Sequence, residues 1–337
     1  MSSIHDVAQA AGVSISTVSR VLTNSAPVAS ETRSRVLEAV SRVGYRPNRI
    51  ARALRRGTSQ MLGLVLPDIT NPFFTEVAAG VQTAAERHGY AVFLAGADGS
   101  PKRQAKLIRA LADRQVDGMI LCPVDNADPL FDAASCDDHG VRCVLIDRGP
   151  RRSGNDVVTC DNYGGSLRLT RHLIELGHTR LGCIAGPKGL GVSQDRVRGF
   201  RDAMREFGLA APEGSVYHGS FSAAAGEEGA ASILRVHPDT TALFCLSDWT
   251  ALGALAYLSK HSIPVPGQVS VAGFDNIHMS SLVHPALTTV DQPKREMGQA
   301  AVRLLLERIS GRREAPKAIT LPSTVILRDS TGPPPVS

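Results

Sequence analysis

The feature of this chain that constrains its fold most is an alternation, from residue 58 onwards, of short apolar runs with amphipathic stretches of helix length. The apolar runs predict strands at 61–66, 91–95, 118–122, 143–146, 157–160, 181–185, 243–246, 269–272 and 287–290. The stretches between them predict helices at 73–88, 103–114, 164–176, 194–207, 223–236, 250–259 and 296–309. Such alternation is typical of parallel sheets covered by helices, and the length of this region favours two α/β domains over one.

The first sixty residues differ from the rest of the chain in charge. They contain nine arginines, no lysine and three acidic residues, which gives this segment a net charge of +6. The whole 337-residue chain carries +5, so the remainder is close to neutral at −1. A basic excess confined to one end of a chain points to an anionic partner that this end contacts.

The periodicity of this segment predicts a helix-turn-helix. Apolar residues at helical spacing predict a first helix over 4–11, which is followed by the permissive turn residue Gly12. Ser14 is suited to cap a second helix over 15–22. Two short helices joined by a tight turn that contains glycine form the motif whose second helix lies in the major groove of DNA.

A third helix is predicted over 31–43, with Gly44 at its C-terminal end. Its expected apolar stripe, which closes a three-helix core, consists of Val36, Leu37, Val40 and Val43. A small helical bundle without any role in DNA binding would show the same periodicity. The charge of +6 and the polar positions at the front of the second helix favour the DNA-binding interpretation.

Several residues of this N-terminal region match a known pattern. They are Asp6-Val7-Ala8, Ala11-Gly12-Val13-Ser14, Thr17-Val18-Ser19-Arg20-Val21-Leu22, Val28, Thr32-Arg33, Tyr45-Arg46-Pro47-Asn48, Ala51-Arg52 and Leu54. The pattern resembles the headpiece of the lactose/galactose-repressor family of bacterial transcription regulators. The match is dense, and it lies at the N-terminus, as it does in that family.

The resemblance implies a DNA-binding headpiece, a hinge helix, and a body that binds an effector and dimerises. The expected bounds are 1–46 for the all-α helix-turn-helix headpiece, 47–57 for the hinge helix, 58–330 for the body and 331–337 for a disordered tail. The α/β body would have two parallel-sheet subdomains, like periplasmic sugar-binding proteins. Its N-subdomain would cover about 60–160 and 292–321, and its C-subdomain about 162–290 and 323–330.

The resemblance also assigns DNA contacts. It places Ile15, Ser16 and Arg20 at the base-reading positions of the second helix. Arg20 is able to donate two hydrogen bonds to O6 and N7 of a guanine, whereas Ile15 offers only apolar contact, for instance to a thymine methyl group. Side chains better suited to phosphate contacts, which set the register, are those of Thr17, Ser19, Asn24 and Tyr45.

The segment 47–57 is the second expected DNA-binding element. Pro47 is acceptable in the first turn of a helix, and Ala51 and Leu54 then share one face. The resemblance implies that this helix folds when two copies meet in the minor groove, where Leu54 would wedge between base pairs and small Ala51 would permit close approach. Asn48 completes the expected contacts of this segment. The alternative is that this segment is a flexible basic linker. The two interpretations are compatible if the segment is a linker in the free protein and a helix when bound to DNA.

The expected effector site lies beyond the carboxyl ends of the strands, where open α/β sheets bind ligands. Strand ends here repeatedly deliver Asp or Asn with aromatic residues nearby, which suits a polyhydroxylated ligand. The resemblance singles out Arg196 and Asp275 as effector-binding residues, and a Ser at 247 departs from the Asn that the family has there. The candidate residues are Asn71, Phe73, Phe74, Asp147, Asp161, Arg196, Asp248, Trp249 and Asp275. For Trp249, stacking on the ligand and packing in the core both remain open.

The sequence does not match the residue spacings of common enzyme motifs. The loop Gly186-Pro187-Lys188-Gly189-Leu190-Gly191 follows a strand and precedes a helix, but it fits neither GxGxxG nor GxxxxGK[ST]. The sequence contains no GxSxG nucleophile motif and no HExxH metal motif. We therefore expect no enzymatic activity, no cofactor and no metal site.

Location and redox state follow from what the sequence lacks. It has no apolar run of the roughly 18–20 residues that cross a membrane, and its start lacks the features of a secretory signal. Its six cysteines include no CxxC pair and are expected to be reduced, mostly buried thiols. The expected location is the bacterial cytoplasm, with association to the nucleoid when the protein is bound to an operator.

The expected function is that of a homodimeric, sequence-specific transcription regulator, and of a repressor in particular. Two-fold symmetry predicts a near-palindromic double-stranded operator. The effector is expected to be a sugar or sugar derivative, with a purine-like or other corepressor as the alternative. A different functional class, a sugar receptor that does not bind DNA, is the other alternative, and such a protein would need an export signal. Whether the effector releases or promotes DNA binding stays open.

Overall fold

The computed structural model describes residues 2–23, 26–45, 58–125, 140–149 and 154–335. The chain divides into two compact units, Met1–Ser59 and Gln60–Ser337. We call them the headpiece unit and the sensor unit, and we describe each by itself. The hinge helix predicted for 47–57 lies outside the described residues.

In chain order the elements are α1 (Ile4–Ala11), α2 (Ile15–Thr23), α3 (Ser30–Val43), β1 (Met61–Leu66), α4 (Pro72–Arg87), β2 (Ala91–Gly96), α5 (Pro101–Asp113), β3 (Gly118–Leu121), β4 (Arg142–Ile146), β5 (Asp156–Cys160), α6 (Asn162–Glu175), β6 (Leu181–Ala185), α7 (Gly191–Glu206), β7 (Val216–His218), α8 (Ala223–Val236), β8 (Ala242–Cys245), α9 (Asp248–Lys260), β9 (Ser270–Ala272), β10 (Thr289–Asp291), α10 (Lys294–Ile309), β11 (Ala318–Leu321) and β12 (Thr324–Ile326). A short 3-10 helix at His278–Ser281 precedes β10.

The headpiece unit is a three-helix bundle whose core is built from small apolar side chains. Val7, Val18 and Val36 are fully buried, one from each helix. The prediction for Leu37 was wrong, because this side chain is 49% exposed and Ala39 is buried instead. Position 37 lies about 100° around α3 from position 36, and therefore outside the stripe that 36, 39, 40 and 43 form.

The sensor unit contains two parallel sheets, which confirms the predicted fold class. The first sheet has the strand order β11-β5-β4-β3-β1-β2, and the second has the order β7-β6-β8-β9. The strands β10 and β12 form a separate antiparallel pair. The chain leaves the first sheet after Cys160, returns to it after Asp291 and leaves it again after Leu321. We call the part around the first sheet the N-subdomain and the part around the second sheet the C-subdomain.

Each subdomain has its own apolar core. One cluster covers the first sheet on the side of α4 and α10, and it includes Phe74, Ile120 and Met297. The helices α4 and α10 pack backbone to backbone, because a Cβ atom at Gly80 would lie 2.3 Å from the carbonyl oxygen of Arg295. A second cluster, which contains Phe244, fills the C-subdomain. No described helix of the chain is long and apolar enough to span a membrane.

Two expectations about the sensor unit need correction. Thr331 and Gly332 belong to the predicted disordered tail, yet Thr331 Oγ1 lies 2.8 Å from Thr288 Oγ1, and the Gly332 carbonyl accepts a hydrogen bond from His178 Nε2 at 2.9 Å. The tail is therefore held at least as far as Gly332. Cys143 is disulfide-bonded, contrary to the expectation of reduced thiols. Buried and free cysteines among the described residues are Cys122, Cys160, Cys183 and Cys245.

Candidate functional sites

The start of α2 is organised by Ser14. Its Oγ accepts a hydrogen bond from the Thr17 backbone N–H at 3.2 Å, which confirms the predicted N-cap. The same oxygen lies 2.8 Å from Ser16 Oγ and 2.9 Å from Thr17 Oγ1. Gly12, at φ 62°, forms the left-handed turn between α1 and α2. The local sequence therefore fixes both the turn and the first residues of the expected recognition helix.

The α2 helix separates a core face from an exposed face. Val18 and Val21 are buried, whereas Ile15 is 38% exposed although it is apolar. Ser16 and Arg20, one helical turn apart, are also exposed. The structure thus places the three residues predicted to read bases where they are accessible. Thr17 and Ser19 are half-buried beside them.

The remaining predicted DNA contacts divide into two groups. Tyr45 is half-buried and packs against the headpiece core, so part of its ring has a structural role. Asn24, Asn48, Ala51 and Leu54 lie outside the described residues. Not every arginine of this segment is free to contact DNA. Arg42 Nη2 donates a hydrogen bond to the Ala10 carbonyl at 2.9 Å and so connects α3 to α1.

The effector-site prediction is clearest at Arg196 on α7. Its side chain is 3% exposed, and its guanidinium carbon lies 3.8 Å from the centroid of the Phe274 ring. Nε donates to Asn162 Oδ1 at 2.8 Å, and Nη1 donates to the Leu246 carbonyl at 2.6 Å. Nη1 also lies 3.6 Å from Asp275 Oδ1. The two residues singled out by the family resemblance therefore form a buried ion pair.

Asp275 sits on an unusual backbone that its neighbours hold in place. Its φ of 126° is rarely adopted by residues other than glycine. Its Oδ1 accepts a hydrogen bond from Gln292 Nε2 at 2.6 Å, and its carbonyl accepts one from Lys294 Nζ at 2.6 Å. Burial raises the pKa of Asp275 to about 7, although the Arg196 charge opposes this shift. Gln292 and Lys294 lie where the chain returns to the N-subdomain, so they link that crossing to the site.

Asp147 and Arg148 bring a second pair of charges from the N-subdomain. They follow β4, and Asp147 has a φ of 63°. Arg148 Nη1 donates to the Pro123 carbonyl at 3.2 Å, while its Nε lies 3.4 Å from Asp147 Oδ2. Asp147 Oδ1 has no hydrogen-bond partner among the described residues. Burial raises the pKa of Asp147, and the nearby charges of Arg148 and Arg196 oppose that shift. Because the charge of Arg196 opposes the rise in the pKa of Asp147 that burial causes, Asp147 lies close enough to interact electrostatically with this residue of the C-subdomain.

Aromatic rings accompany these charges. The Phe221 ring centroid lies 6.0 Å from the guanidinium carbon of Arg148 and 5.8 Å from that of Arg196, so this ring is near both. The Arg148 guanidinium carbon also lies 5.7 Å from the centroid of the Phe74 ring. Phe74 and Phe73 are otherwise core residues, both nearly fully buried and in edge-to-face contact at 5.0 Å. We call the set Asp147, Arg148, Arg196, Phe221 and Asp275 the interdomain cluster.

Four predicted residues have their polar atoms or side chains engaged elsewhere. Asp248 is fully buried, and its carboxylate accepts hydrogen bonds from the Ile277 N–H, Ser280 Oγ and Thr289 Oγ1 at 2.9, 2.5 and 2.5 Å. Asn71 Oδ1 caps α4 by accepting from the Phe73 N–H at 3.0 Å.

Asp161 Oδ1 caps α6 by accepting from the Gly164 N–H at 2.9 Å, and its Oδ2 pairs with Arg168 at 3.3 Å. Trp249 packs against the core of the N-subdomain. The effector roles of Asn71, Asp161, Asp248 and Trp249 therefore stay predictions, and each residue has a structural role as well.

The described part of the chain contains no group of three or more His, Cys, Asp or Glu side chains arranged to hold a metal ion. The interdomain cluster offers charged groups and aromatic faces only. Groups of this kind are chemically suited to hydrogen-bond and stack on a polar organic molecule.

Comparison with known proteins identifies a family that this chain matches. A family model described as bacterial regulatory proteins of the lacI family matches residues 3–48, and a periplasmic binding protein-like domain matches residues 170–331. The HTH-type transcriptional repressor PurR of Vibrio cholerae serotype O1 (strain M66-2) is 35% identical over 331 residues, which are 98% of this chain and 98% of that protein.

Two solved structures extend the comparison. A complex of the transcriptional regulator CelR with cellobiose is 32% identical and has a TM-score of 0.75, with 98% of this chain and 100% of that chain covered. The lac repressor dimer bound to operator and the anti-inducer ONPF is 26% identical and has a TM-score of 0.88, with 98% and 99% covered. The family resemblance is thereby confirmed: this chain belongs to the lacI family of bacterial regulatory proteins, which are DNA-binding transcriptional regulators and not enzymes.

Proposed function

We propose that this protein represses transcription by binding a near-palindromic operator as a homodimer, and that a sugar or sugar derivative in the interdomain cluster controls this binding. The exposed row of Ile15, Ser16 and Arg20 supports the DNA-reading part of the proposal. The similar lac repressor structure is a dimer bound to operator. A single recognition helix reads too few base pairs for a unique site, and a dimer doubles the number.

The edge of the first sheet supports the homodimer. β2 is an edge strand, and it exposes Phe93 by 43% and Leu94 by 52%. Ile69, beside the end of β2 at Gly96, is 45% exposed. An unpaired strand edge that carries large apolar side chains associates readily with other chains unless a partner covers it. A second copy of this chain is the partner that the proposal places there.

The observation that carries the effector proposal is the buried polar chemistry of the interdomain cluster and of Gln292, which donates a hydrogen bond to Asp275 of that cluster. Asp147 Oδ1 and Gln292 Oε1 are buried, and neither has a hydrogen-bond partner among the described residues. Buried polar atoms in proteins are nearly always paired, so both oxygens are suited to accept hydrogen bonds from ligand hydroxyl groups. The Phe221 ring beside Arg148 and Arg196 offers a face for the C–H surface of a sugar. The similar CelR structure holds cellobiose.

A purine-like corepressor is the second candidate. Several relatives at 33–35% identity carry the name PurR. The same Phe221 face would stack on a base, and the guanidinium groups beside it would bind ring nitrogen or carbonyl acceptors. Sugar and base differ in the hydrogen bonds that they offer to the two unpaired oxygens, because a sugar presents several hydroxyl donors.

The test measures operator affinity with and without candidate effectors. An operator is first selected from a randomised duplex pool, and fluorescence anisotropy then gives its Kd with cellobiose, ribose, hypoxanthine or guanine present. We expect a sugar to change the Kd by about fivefold or more, and Arg196→Ala to remove that change. Arg180→Ala is the matched control, because Arg180 is an exposed arginine of the same subdomain that pairs with Asp239.

The outcomes separate the parts of the proposal. A response to nucleobases alone would replace the sugar by the purine alternative. Failure to select any operator sequence would contradict sequence-specific DNA binding itself. A normal response in Arg196→Ala would move the effector away from the interdomain cluster. Sedimentation of Leu94→Glu tests the dimer, and an unchanged dimer in this variant would contradict the β2 interface.

A further inference from the structure

A second concave site lies along α7, on a face of this helix that does not carry Arg196. It has a volume of about 370 Å³. The side chains that matter for its chemistry are Lys188, Ser193, Arg198, Arg201, Arg205 and His218, all of which line it. We call this cavity the α7 pocket. None of the residues of the interdomain cluster lines it.

Ser193 is the reason to regard the α7 pocket as a binding site. It is fully buried in the first turn of α7, yet its Oγ has no hydrogen-bond partner among the described residues. A buried hydroxyl group without a partner is rare, because burial removes the water that would otherwise bind it. Ser193 is also one of the residues that line the cavity, so its hydroxyl group is the candidate donor to a ligand atom in the α7 pocket.

The charges around the α7 pocket indicate that this ligand is an anion. Arg198 Nη2 pairs with Asp195 at 3.0 Å, and Arg205 Nη1 pairs with Asp202 at 2.7 Å. The side chain of Arg201 makes no hydrogen bond or ion pair with the residues that the structure describes, and the same holds for Lys188 Nζ.

The one carboxylate that lines the pocket is already engaged. Asp202 accepts hydrogen bonds from Arg205 and also from Tyr163 Oη, the latter at 3.2 Å. Its negative charge is therefore offset by Arg205. Two positive charges, on Lys188 and Arg201, remain available to a ligand in the same cavity.

The loop before α7 fits the same chemistry. Lys188 belongs to the glycine-rich connection between β6 and α7, and Gln194 Nε2 fixes this loop by donating to the Lys188 carbonyl at 2.9 Å. The N-cap residue of α7 is Leu190, which provides no side-chain cap for the first backbone N–H groups. His218 Nδ1 donates to the Gly186 carbonyl at 3.1 Å and so holds the loop from β7. Unbound N–H groups and the positive end of the helix dipole favour an anion near this end.

We infer that the α7 pocket binds a phosphate group, either free or as the phosphate monoester of a small metabolite. Ser193 Oγ donates one hydrogen bond to a phosphate oxygen, and Lys188 and Arg201 neutralise its charge. The volume exceeds what a phosphate ion alone needs, which leaves room for the organic part of a phosphorylated molecule. This site is separate from the effector site of the proposed function and does not depend on it.

The test uses the full chain and inorganic phosphate, with sodium chloride replaced so that ionic strength stays constant. Broadening of the ³¹P resonance and isothermal titration calorimetry give the Kd. We expect Arg201→Ala and Lys188→Ala each to weaken phosphate binding about tenfold or more. Ser193→Ala, which removes only the hydroxyl group, should weaken it several-fold. Arg303→Ala, at an exposed arginine on α10, is the matched control and should bind as the unmodified chain does.

Two further measurements decide the assignment. The affinity for glucose 6-phosphate is compared with that for inorganic phosphate, and glucose serves as the uncharged control. If the phosphorylated sugar binds more tightly than inorganic phosphate and Arg201→Ala removes this binding, the ligand is a phosphorylated metabolite. Equal affinity for the two anions identifies free phosphate. The inference is overturned if Arg201→Ala and Ser193→Ala bind phosphate as the unmodified chain does, or if only Arg196→Ala loses binding, since the anion then occupies the interdomain cluster.

Discussion

The two sites differ most in how their arginines are held. Arg20 on α2 is exposed, while Arg196 on α7 is 3% exposed and is fixed by Asn162, the Leu246 carbonyl and Asp275. An exposed arginine gives up part of its hydration and side-chain entropy only when DNA arrives. A buried and fixed arginine is preorganised for its ligand, at the cost that the protein fold depends on it.

A similar contrast applies to the polar groups next to the two sites. At the start of α2 the Ser14 hydroxyl group bonds to those of Ser16 and Thr17, within one helical turn. In the sensor unit, hydrogen bonds join residues that are far apart in sequence, such as Asp248 and Thr289. We therefore expect substitutions of Ile15, Ser16 or Arg20 to change operator recognition without changing the free energy of unfolding. Substitutions in the sensor network should change stability, whether or not they touch the effector.

Asp248→Ala should have the largest effect on stability. Its carboxylate accepts three buried hydrogen bonds, so the substitution leaves three donors without a partner and lowers the free energy of unfolding by about 3 kcal/mol or more. Urea unfolding followed by the fluorescence of Trp249, the only tryptophan of the chain, reports on the sensor unit.

Asp239→Ala is the control for Asp248→Ala. Its carboxylate is 59% exposed in a surface ion pair with Arg180, and its loss should cost less than about 1 kcal/mol. If Asp248→Ala were as stable as the control and lost its effector response, Asp248 would be an effector ligand and not a structural residue. The protein concentration is kept constant, because dimerisation contributes to apparent stability.

Arg20→Ala tests the other side of the comparison. Loss of a bidentate contact to guanine should reduce the discrimination between the operator and a site with that base changed by about 1–3 kcal/mol. Because Arg20 is exposed, the melting temperature should not change. Competitive anisotropy titrations with the two duplexes measure this difference. Arg35→Ala removes an exposed arginine from α3 and should leave discrimination intact, so an equal loss of discrimination in both variants would contradict base reading by Arg20.

The sequence predicted those features of the fold that extend over many residues. The strands over 61–66 and 181–185 agree with the structure at both ends because each is a continuous apolar run, and the helix over 223–236 agrees because its apolar residues recur at helical spacing. The strands β7, β11 and β12 were missed. They contain three or four residues each, and all of these residues are half-buried or exposed. The equally short strands β8 and β9 were predicted because they are fully buried and mostly apolar runs.

The missed strand β7 explains a missed site residue. Strand ends were the guide to the effector site, and Phe221 follows β7, so no predicted strand pointed to it. Asp248 shows the opposite limit. It does follow a strand, but its carboxylate turns toward Ser280 and Thr289 of its own subdomain. Position in sequence gives the edge of the sheet where a residue lies, whereas the direction of its side chain depends on partners distant in the chain.

Arg196 and Asp275 were predicted through the family resemblance, and the structure brings them together. The residues that hold them, Asn162, Gln292 and Lys294, lie at or next to the chain crossings between the subdomains. Polar residues at crossings have no periodic signal of their own. The predicted subdomain bounds place crossings at 160–162 and 290–292, but only the fold shows that Asn162, Gln292 and Lys294 contact Arg196 and Asp275 there.

The pH dependence of stability sharpens the comparison further, because it arises from the buried charges of the sensor unit. Burial raises the pKa of Asp275 from 3.8 to about 7, so between these values the folded state binds a proton that the unfolded state has released. The stability from this group is fully present below its unfolded pKa and is lost as pH rises through about 7. The slope is at most about 1.4 kcal/mol per pH unit. Asp275→Asn should flatten the fall in unfolding free energy between about pH 5 and pH 7, and an unchanged slope in this variant would assign the fall to other groups.

Ser193→Ala should have the smallest effect. Most buried polar groups in the described part of the sensor unit are hydrogen-bonded and stabilise the fold, whereas the Ser193 hydroxyl group is among the few that are not. The Ser193 hydroxyl group has no hydrogen-bond partner among the described residues, so its removal should leave the free energy of unfolding unchanged or raise it by up to about 1 kcal/mol. Ser247→Ala is the matched variant, since Ser247 is equally buried at the start of a helix but caps α9 through the Thr250 N–H at 3.1 Å.

Ser247→Ala should therefore be less stable than Ser193→Ala. Loss of the cap in Ser247→Ala lowers the free energy of unfolding by about 1 kcal/mol. Urea titrations of both variants, in a buffer without phosphate, measure the difference directly. If Ser193→Ala were as unstable as Ser247→Ala, then Ser193 Oγ would contribute to the fold as the other buried polar groups do. If Ser193→Ala is instead as stable as the unmodified chain, the hydroxyl group is not needed for folding and is available to a ligand. The exposed side chain of Arg20 is available to DNA in the same way.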